Sequence, residues 1–315
     1  MQSVQHIFVL GSGRSGTKTC AQLLSSFQGC RIEHQLRPTL LGEVTDYLGG
    51  SMPHQDMVAL LRKTRGPECF SGERVIGESN QRLAYALPAL VEAFPSAKYL
   101  WVIRDGRDVV ASMHHRLWYH RREAQRRHPE LSEWAANRIR ADWIGEMSTA
   151  QWARLDSFAR CCWYWAHTNR MIAEVSMKLD LRIRCVRLEQ LLEQLPDVLE
   201  FLELDEDVPS TVPCVNRSFL PKRVGWWRNP TPHVRWSGRQ RRIFAMLGAD
   251  VMDEHYPGWS CRPRRSLPRE LTSTIYRSAK VICTGLASMS RPVRTHTASL
   301  VHKTSSAPLP GAASR

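Results

Sequence analysis

Four short apolar runs stand out along the chain, at positions 6–10, 74–77, 98–103 and 181–188. They are apolar almost continuously and do not alternate, which is the pattern of strands buried on both faces of a parallel sheet. Elsewhere apolar positions recur every three or four residues. That periodicity predicts helices over 17–27, 83–94, 107–120, about 148–179, 190–202 and 238–247. Strands alternating with helices predict a three-layer α/β/α fold, a phosphate-loop-like parallel sheet flanked by helices. One region breaks the rhythm. Residues 118–165 hold six tryptophans (118, 134, 143, 152, 163 and 165) and the charged run RREAQRRH at 121–128. This predicts a helical insertion over the sheet, its tryptophans either packed as core or forming a wall for an acceptor.

The first apolar run leads into HIFVLGSGRSGTKTCAQLL, residues 6–24. Gly11 and Gly16 have the spacing of a nucleotide phosphate loop, but Thr17 stands where that loop needs lysine. A strand, a glycine turn and a helix N-terminus still make an anion cradle, because free backbone N–H groups and the helix dipole meet there. Arg14 adds a forked cation inside the turn. The third run ends in Arg104-Asp105-Gly106-Arg107-Asp108, with Ser112 eight residues after Arg104. Arg104 and Ser112 can converge on a second anionic group beyond the strand ends, where open α/β sheets bind ligands. A salt-bridge network among residues 104, 105, 107 and 108 is the plainer alternative.

Together these two segments resemble the sulfotransferases that use 3′-phosphoadenosine 5′-phosphosulfate, more the bacterial and tyrosyl-protein branches than the steroid and phenol branch. Arg14-Ser15-Gly16-Thr17-Lys18 is similar to that family's 5′-phosphosulfate loop, and Arg104 to Ser112 to its 3′-phosphate motif, with Gly106 in place of proline. CVRLEQLL at 185–192 and KRVGWWRN at 222–229 resemble two further family segments. The resemblance covers residues 4–260 and implies metal-independent, in-line sulfuryl transfer to a hydroxyl or amine. It implies that Gly13, Arg14, Ser15, Gly16, Thr17, Lys18 and Thr19 hold the 5′-phosphosulfate, with Arg14 steadying the leaving oxygen. Arg104 and Ser112 would take the 3′-phosphate, and Arg223, Gly225, Trp226, Trp227 and Arg228 would grip the nucleotide. Leu188 replaces a tyrosine the family often has beside the adenosine, so stacking falls to Trp226 or Trp227.

In the family the base follows the helix after the loop, which here is CRIEHQLRP at 30–38. His34 is the first candidate, because imidazole titrates near neutrality. Glu33 is the second, and counting as in the tyrosyl-protein branch lands on Gln35, which cannot take a proton. Glu78, just after the second strand, is a third candidate, with Asn80 placed to orient donor or acceptor. Each of these side chains has a structural alternative. A phosphate-loop kinase with Asp105 as metal ligand, or a binding protein without catalysis, are the rival functions.

Composition adds compartment and partners. No apolar run approaches the roughly 18 residues of a membrane span, and MQSVQ is no secretory start. The expectation is a cytoplasmic protein with its nine cysteines reduced. The net charge of +14 is uneven, since ten of the 44 basic and one of the 30 acidic residues lie in 261–315. That Ser/Pro-rich stretch reads as a flexible basic tail, separate from a domain over 1–260, with weak contact to a membrane surface open to it. No specific nucleic acid is implied. The acceptor is a small molecule, carbohydrate, lipid or peptide.

Overall fold

A computed structural model describes residues 4–70, 72–120, 126–127, 132–204 and 236–261. Five strands form one parallel sheet: β1 (Gln5–Leu10), β2 (Cys30–His34), β3 (Val75–Ser79), β4 (Lys98–Ile103) and β5 (Ile183–Arg187), in the order β2-β3-β1-β4-β5. The four expected strands are present within a few residues of their predicted bounds. β2 was not expected as a strand. Its sequence CRIEH places polar Arg31, Glu33 and His34 on a sheet edge, so it lacks the continuous apolar signature of a central strand.

Alternate residues of β1 enter opposite cores. Phe8 and Leu10 pack with Tyr99 and Trp101 on one face, while Ile7 and Val9 pack with Leu100 and Val102 on the other. The helices are α1 (Thr17–Leu24), α2 (Leu41–Leu48), α3 (His54–Arg65), α4 (Leu87–Ala93), α5 (Gly106–His115), α6 (Ser132–Ala136), α7 (Thr149–Arg154), α8 (Ser157–Lys178), α9 (Leu195–Leu202) and α10 (Gly238–His255). Residues of α1 and α9 cover the second face; those of α3, α4, α5, α8 and α10 cover the first. The expected α/β/α layering is therefore present.

The long helix expected over about 148–179 is two helices. Asp156 interrupts it and caps α8 by accepting from the Ala159 N–H at 2.8 Å. Trp163 and Trp165 belong to α8 and are buried in the core, as is Trp152 of α7. The stretch 118–165, expected as an insertion, thus contributes Trp152, Trp163 and Trp165 to the core. Helices α2 and α3, unpredicted, connect β2 to β3. No helix among the described residues is long and apolar enough to cross a membrane. The seven described cysteines form no disulfide with one another. The loop at 222–229 and residues 262–315 lie outside the described residues, as does most of the run 121–128.

Candidate functional site

β1 and β4 are neighbours in the sheet, with Leu10 beside Trp101, so the turns leaving their C-terminal ends start side by side. β1 ends at Leu10, and Gly11 presses against the Val102 carbonyl, where a Cβ would collide. The Ser15 N–H donates to the Ser12 carbonyl at 3.2 Å and the two hydroxyls meet at 2.5 Å, closing a tight turn. Arg14 sits in the left-handed region with φ 73, and Gly16, with φ 96, caps α1. The first bond of the helix runs from Cys20 N to Gly16 O at 3.1 Å. The amides of Thr17, Lys18 and Thr19 thus have no acceptor within the helix, and no acidic residue sits in its first turn.

Two expected anion contacts have other partners. The Gly13 N–H donates to the Tyr164 hydroxyl at 3.3 Å, and the Ser15 N–H serves the turn itself. Both residues shape the loop without offering those amides to an anion. The Trp118 ring and the branched Leu188 side chain lie where Cβ atoms on Gly13 and Gly16 would be, so both glycines are favoured by close approach. Leu188, where the family resemblance expects a tyrosine, therefore covers the loop from the β5 side.

The two anion motifs meet directly. Arg14 Nε donates to Ser112 Oγ at 3.2 Å, across 98 residues of chain. Burial, then the charges of Arg116 and Arg104, hold the Arg14 guanidinium down to about 10. Arg104, Asp108, Ser112 and Arg116 follow at four-residue steps, so the segment that α5 dominates lines them along one side. Asp108 takes one edge of Arg104 at 3.3 Å. Sequence reasoning missed Arg116, though its helical spacing from Ser112 was visible. Asp105 and Arg107 belong to the fold. The Asp105 carboxylate accepts from the Arg107 N–H at 2.9 Å, capping α5, and pairs with the Arg107 guanidinium at 2.5 Å. Arg107 also donates to the Ser260 carbonyl at 2.7 Å. Gly106 lies against the Trp165 ring, which a larger residue would strike.

β2 and β3 pair in register with His34 beside Ser79, and His34 Nδ1 lies 3.0 Å from Ser79 Oγ. Burial and the nearby Lys18 and Arg14 charges lower the His34 imidazole to about 4, so it is neutral at physiological pH. The coupling places His34 close to the anion loop. It lines a groove between α1 and the sheet edge together with Lys18, Gln22, Arg31 and Glu33. Glu33 bonds Arg31 at 2.8 Å, an exposed pair one position before His34. Gln35 turns the chain with φ 59.

Glu78 and Asn80 differ from expectation. Glu78 is fully buried and ion-paired with Arg65 of α3, itself 1% exposed. Asn80 Nδ2 donates to Glu78 at 2.9 Å, and Asn80 Oδ1 accepts from the Arg82 N–H at 2.9 Å. Arg65 also bonds the Leu36 and Pro38 carbonyls, at 3.3 and 2.7 Å. A carboxylate carrying these partners supports the loop after β2 and is closed to substrate. Arg65 carried no sequence signal, because its partner is brought to it by the sheet.

No family model matches the chain. No curated protein matches it either. Solved structures do, at low identity. A sulfotransferase domain from the curacin biosynthetic pathway is 14% identical, with TM-score 0.39, over 66% of this chain and 76% of that one. A sulfotransferase domain from the Synechococcus PCC 7002 olefin synthase is 15% identical, with TM-score 0.37, over 90% and 96%. A sugar kinase from a Janibacter species is 14% identical, with TM-score 0.30, over 66% and 100%. Both group-transfer chemistries thus occur among these neighbours, and the functional reading rests on the site.

Proposed function

We propose that the protein is a sulfotransferase that takes its sulfuryl group from 3′-phosphoadenosine 5′-phosphosulfate and passes it to a hydroxyl or amine. The observation that carries this reading is the Arg14–Ser112 hydrogen bond, with Arg104 and Arg116 bearing on the same guanidinium. A nucleotide anionic at both its 5′ and 3′ ends suits such a cluster, and the glycine contacts around the loop leave backbone room that a Cβ would fill. The amides of residues 17–19, with Lys18, would hold the 5′ end. Arg104, Ser112 and Arg116 would hold the 3′-phosphate. The donor supplies a sulfuryl group whose bond to a phosphate oxygen breaks as the acceptor oxygen or nitrogen bonds to sulfur. Arg14 would neutralise the charge left on that phosphate oxygen. His34 takes the acceptor proton in the tautomer whose Nδ1–H donates to Ser79, which leaves the lone pair on Nε2. Glu33, exposed and paired with Arg31, is the weaker candidate for this role.

Asp105 argues against the kinase alternative. A metal-binding aspartate at the end of β4 would need a free carboxylate, and here it is held by Arg107. The acceptor class stays wide: a small molecule, carbohydrate, lipid or peptide. A thermal-shift titration compares adenosine 3′,5′-bisphosphate with ATP–Mg²⁺, followed by labelled-sulfuryl transfer to a mixed acceptor library. Preferential stabilisation by the bisphosphate, lost in Arg14→Ala and Arg104→Ala, is the expected result. Preference for ATP–Mg²⁺ would return the kinase, and tight nucleotide binding without transfer or hydrolysis would return the binding protein.

A further inference from the structure

Above the anion loop sits a cation that no carboxylate pairs with among the described residues. The Trp118 ring lies over Gly13, and Tyr164, which accepts the Gly13 N–H, is 5.5 Å from that ring centre to centre. The guanidinium carbon of Arg138 stands 4.0 Å from the Trp118 ring centroid. Arg138 is half-buried, and burial pulls its pKa below the ordinary arginine value. Among the described residues no carboxylate pairs with it and no acceptor takes its N–H groups. The acids that follow it in the chain have other partners: Asp142 bonds Arg140 at 2.7 Å, and Glu146 bonds His167 at 2.6 Å and Trp163 at 2.7 Å.

A desolvated cation is unfavourable unless something opposite in charge or an aromatic face meets it. Trp118 meets one face of the guanidinium, and no acceptor among the described residues takes its edge N–H groups. The segment that carries Arg138 is firmly held. The neighbouring Asn137 carbonyl accepts from Arg82 at 2.6 Å, and the Ile139 carbonyl accepts from the Tyr119 hydroxyl at 2.5 Å. Trp118 is likewise fixed, its N–H donating to the Met113 carbonyl at 3.0 Å. A rigid, stacked guanidinium with open donors is a recognition element for a planar or tetrahedral oxyanion. Its stacking partner touches the loop assigned to the donor, on the side built by the inserted region.

We infer that Arg138, held on Trp118, binds an anionic group (carboxylate, sulfate or phosphate) on the acceptor, so that the enzyme selects acidic acceptors over neutral ones. This rests on the transferase reading for the word acceptor; the anion site itself does not. The full chain, saturated with adenosine 3′,5′-bisphosphate to fill the loop, is dialysed against radiolabelled inorganic sulfate. Saturable binding is expected, weakened at least about tenfold in Arg138→Gln and less in Arg138→Lys. No sulfate bound by the loaded protein, or undiminished binding in Arg138→Gln with an unchanged melting temperature, overturns the site. If the nucleotide itself does not bind, the donor reading fails. The same dialysis on Arg14→Ala/Arg104→Ala, with and without Arg138→Gln, then still decides whether Arg138 binds an anion. Transfer to N-acetylglucosamine is then compared with transfer to its 6-phosphate, and tyrosine amide with a tyrosine–aspartate peptide. Preference for the charged member, falling at least about tenfold in Arg138→Gln, is expected. Equal use of both members of each pair, or preference for the neutral ones, refutes acidic selection.

Discussion

Two arginines near the C-terminal edge of the sheet have opposite fates. Arg65, beside β3, meets the Glu78 carboxylate in the core and bonds three carbonyls besides. Arg14, after β1, bonds a serine hydroxyl and shares its surroundings with two more guanidinium groups. The first charge is neutralised and the structure depends on it. The second is left in excess, at a backbone turn with φ 73, and that excess is what an anionic ligand would complete. Charge balance, more than residue type, separates scaffold from site here.

The contrast is easiest to break at Arg65. Arg65→Ala leaves Glu78 buried without its partner, and the expected loss is about 3–5 kcal/mol in urea unfolding. A loss under about 1 kcal/mol would mean that the pair is not structural. Arg14→Ala should do the reverse. Adenosine 3′,5′-bisphosphate affinity falls by about 2–5 kcal/mol in calorimetry, as for removal of a close charged contact, while the melting temperature holds or rises. Gly106→Ala forces a methyl into the Trp165 ring and is expected to destabilise by about 1–3 kcal/mol, read in the same unfolding assay.

His34 sharpens the comparison through pH. In the free protein its pKa is about 4, held there by burial and then by Lys18 and Arg14. A bound polyanion cancels the two cationic contributions and raises the imidazole pKa. Between the free and bound values the complex therefore holds a proton that the free protein lacks. Binding takes up that proton, and affinity rises as pH falls through the window. Calorimetry in buffers of different ionisation enthalpy measures the uptake, and it should vanish in His34→Ala. The smallest effect is expected from Ser79→Ala, which removes one hydrogen bond to His34, worth about 1 kcal/mol. Turnover should fall severalfold, with nucleotide affinity unchanged.

Much of this site was legible in advance. The apolar runs followed by Gly11, Arg14 and Gly16, and by Arg104 and Ser112, predicted two strand–turn–helix units, and both are present because each is built from local chemistry. Their convergence is visible only where β1 and β4 lie side by side. The β2 strand was hidden because an edge strand with alternating polar residues looks like a loop, and with it the pairing of His34 with Ser79. Glu78 misled for a related reason. Its position after a strand suggested the ligand edge, but whether a carboxylate faces a cleft or an arginine depends on α3, which supplies Arg65 from 13 residues upstream.

What the chain determined by itself is the set of parts: continuous apolar runs that must be buried on both faces, glycines where backbones approach, and cations at the turns that follow. What folding decided is which charges are cancelled. Arg107 and Arg65 find carboxylates, Arg14 finds a hydroxyl and Arg138 an aromatic ring. Periodicity reports neighbours within a few residues, whereas electrostatic balance is set by groups that only the packed sheet and helices bring within a few ångströms of one another.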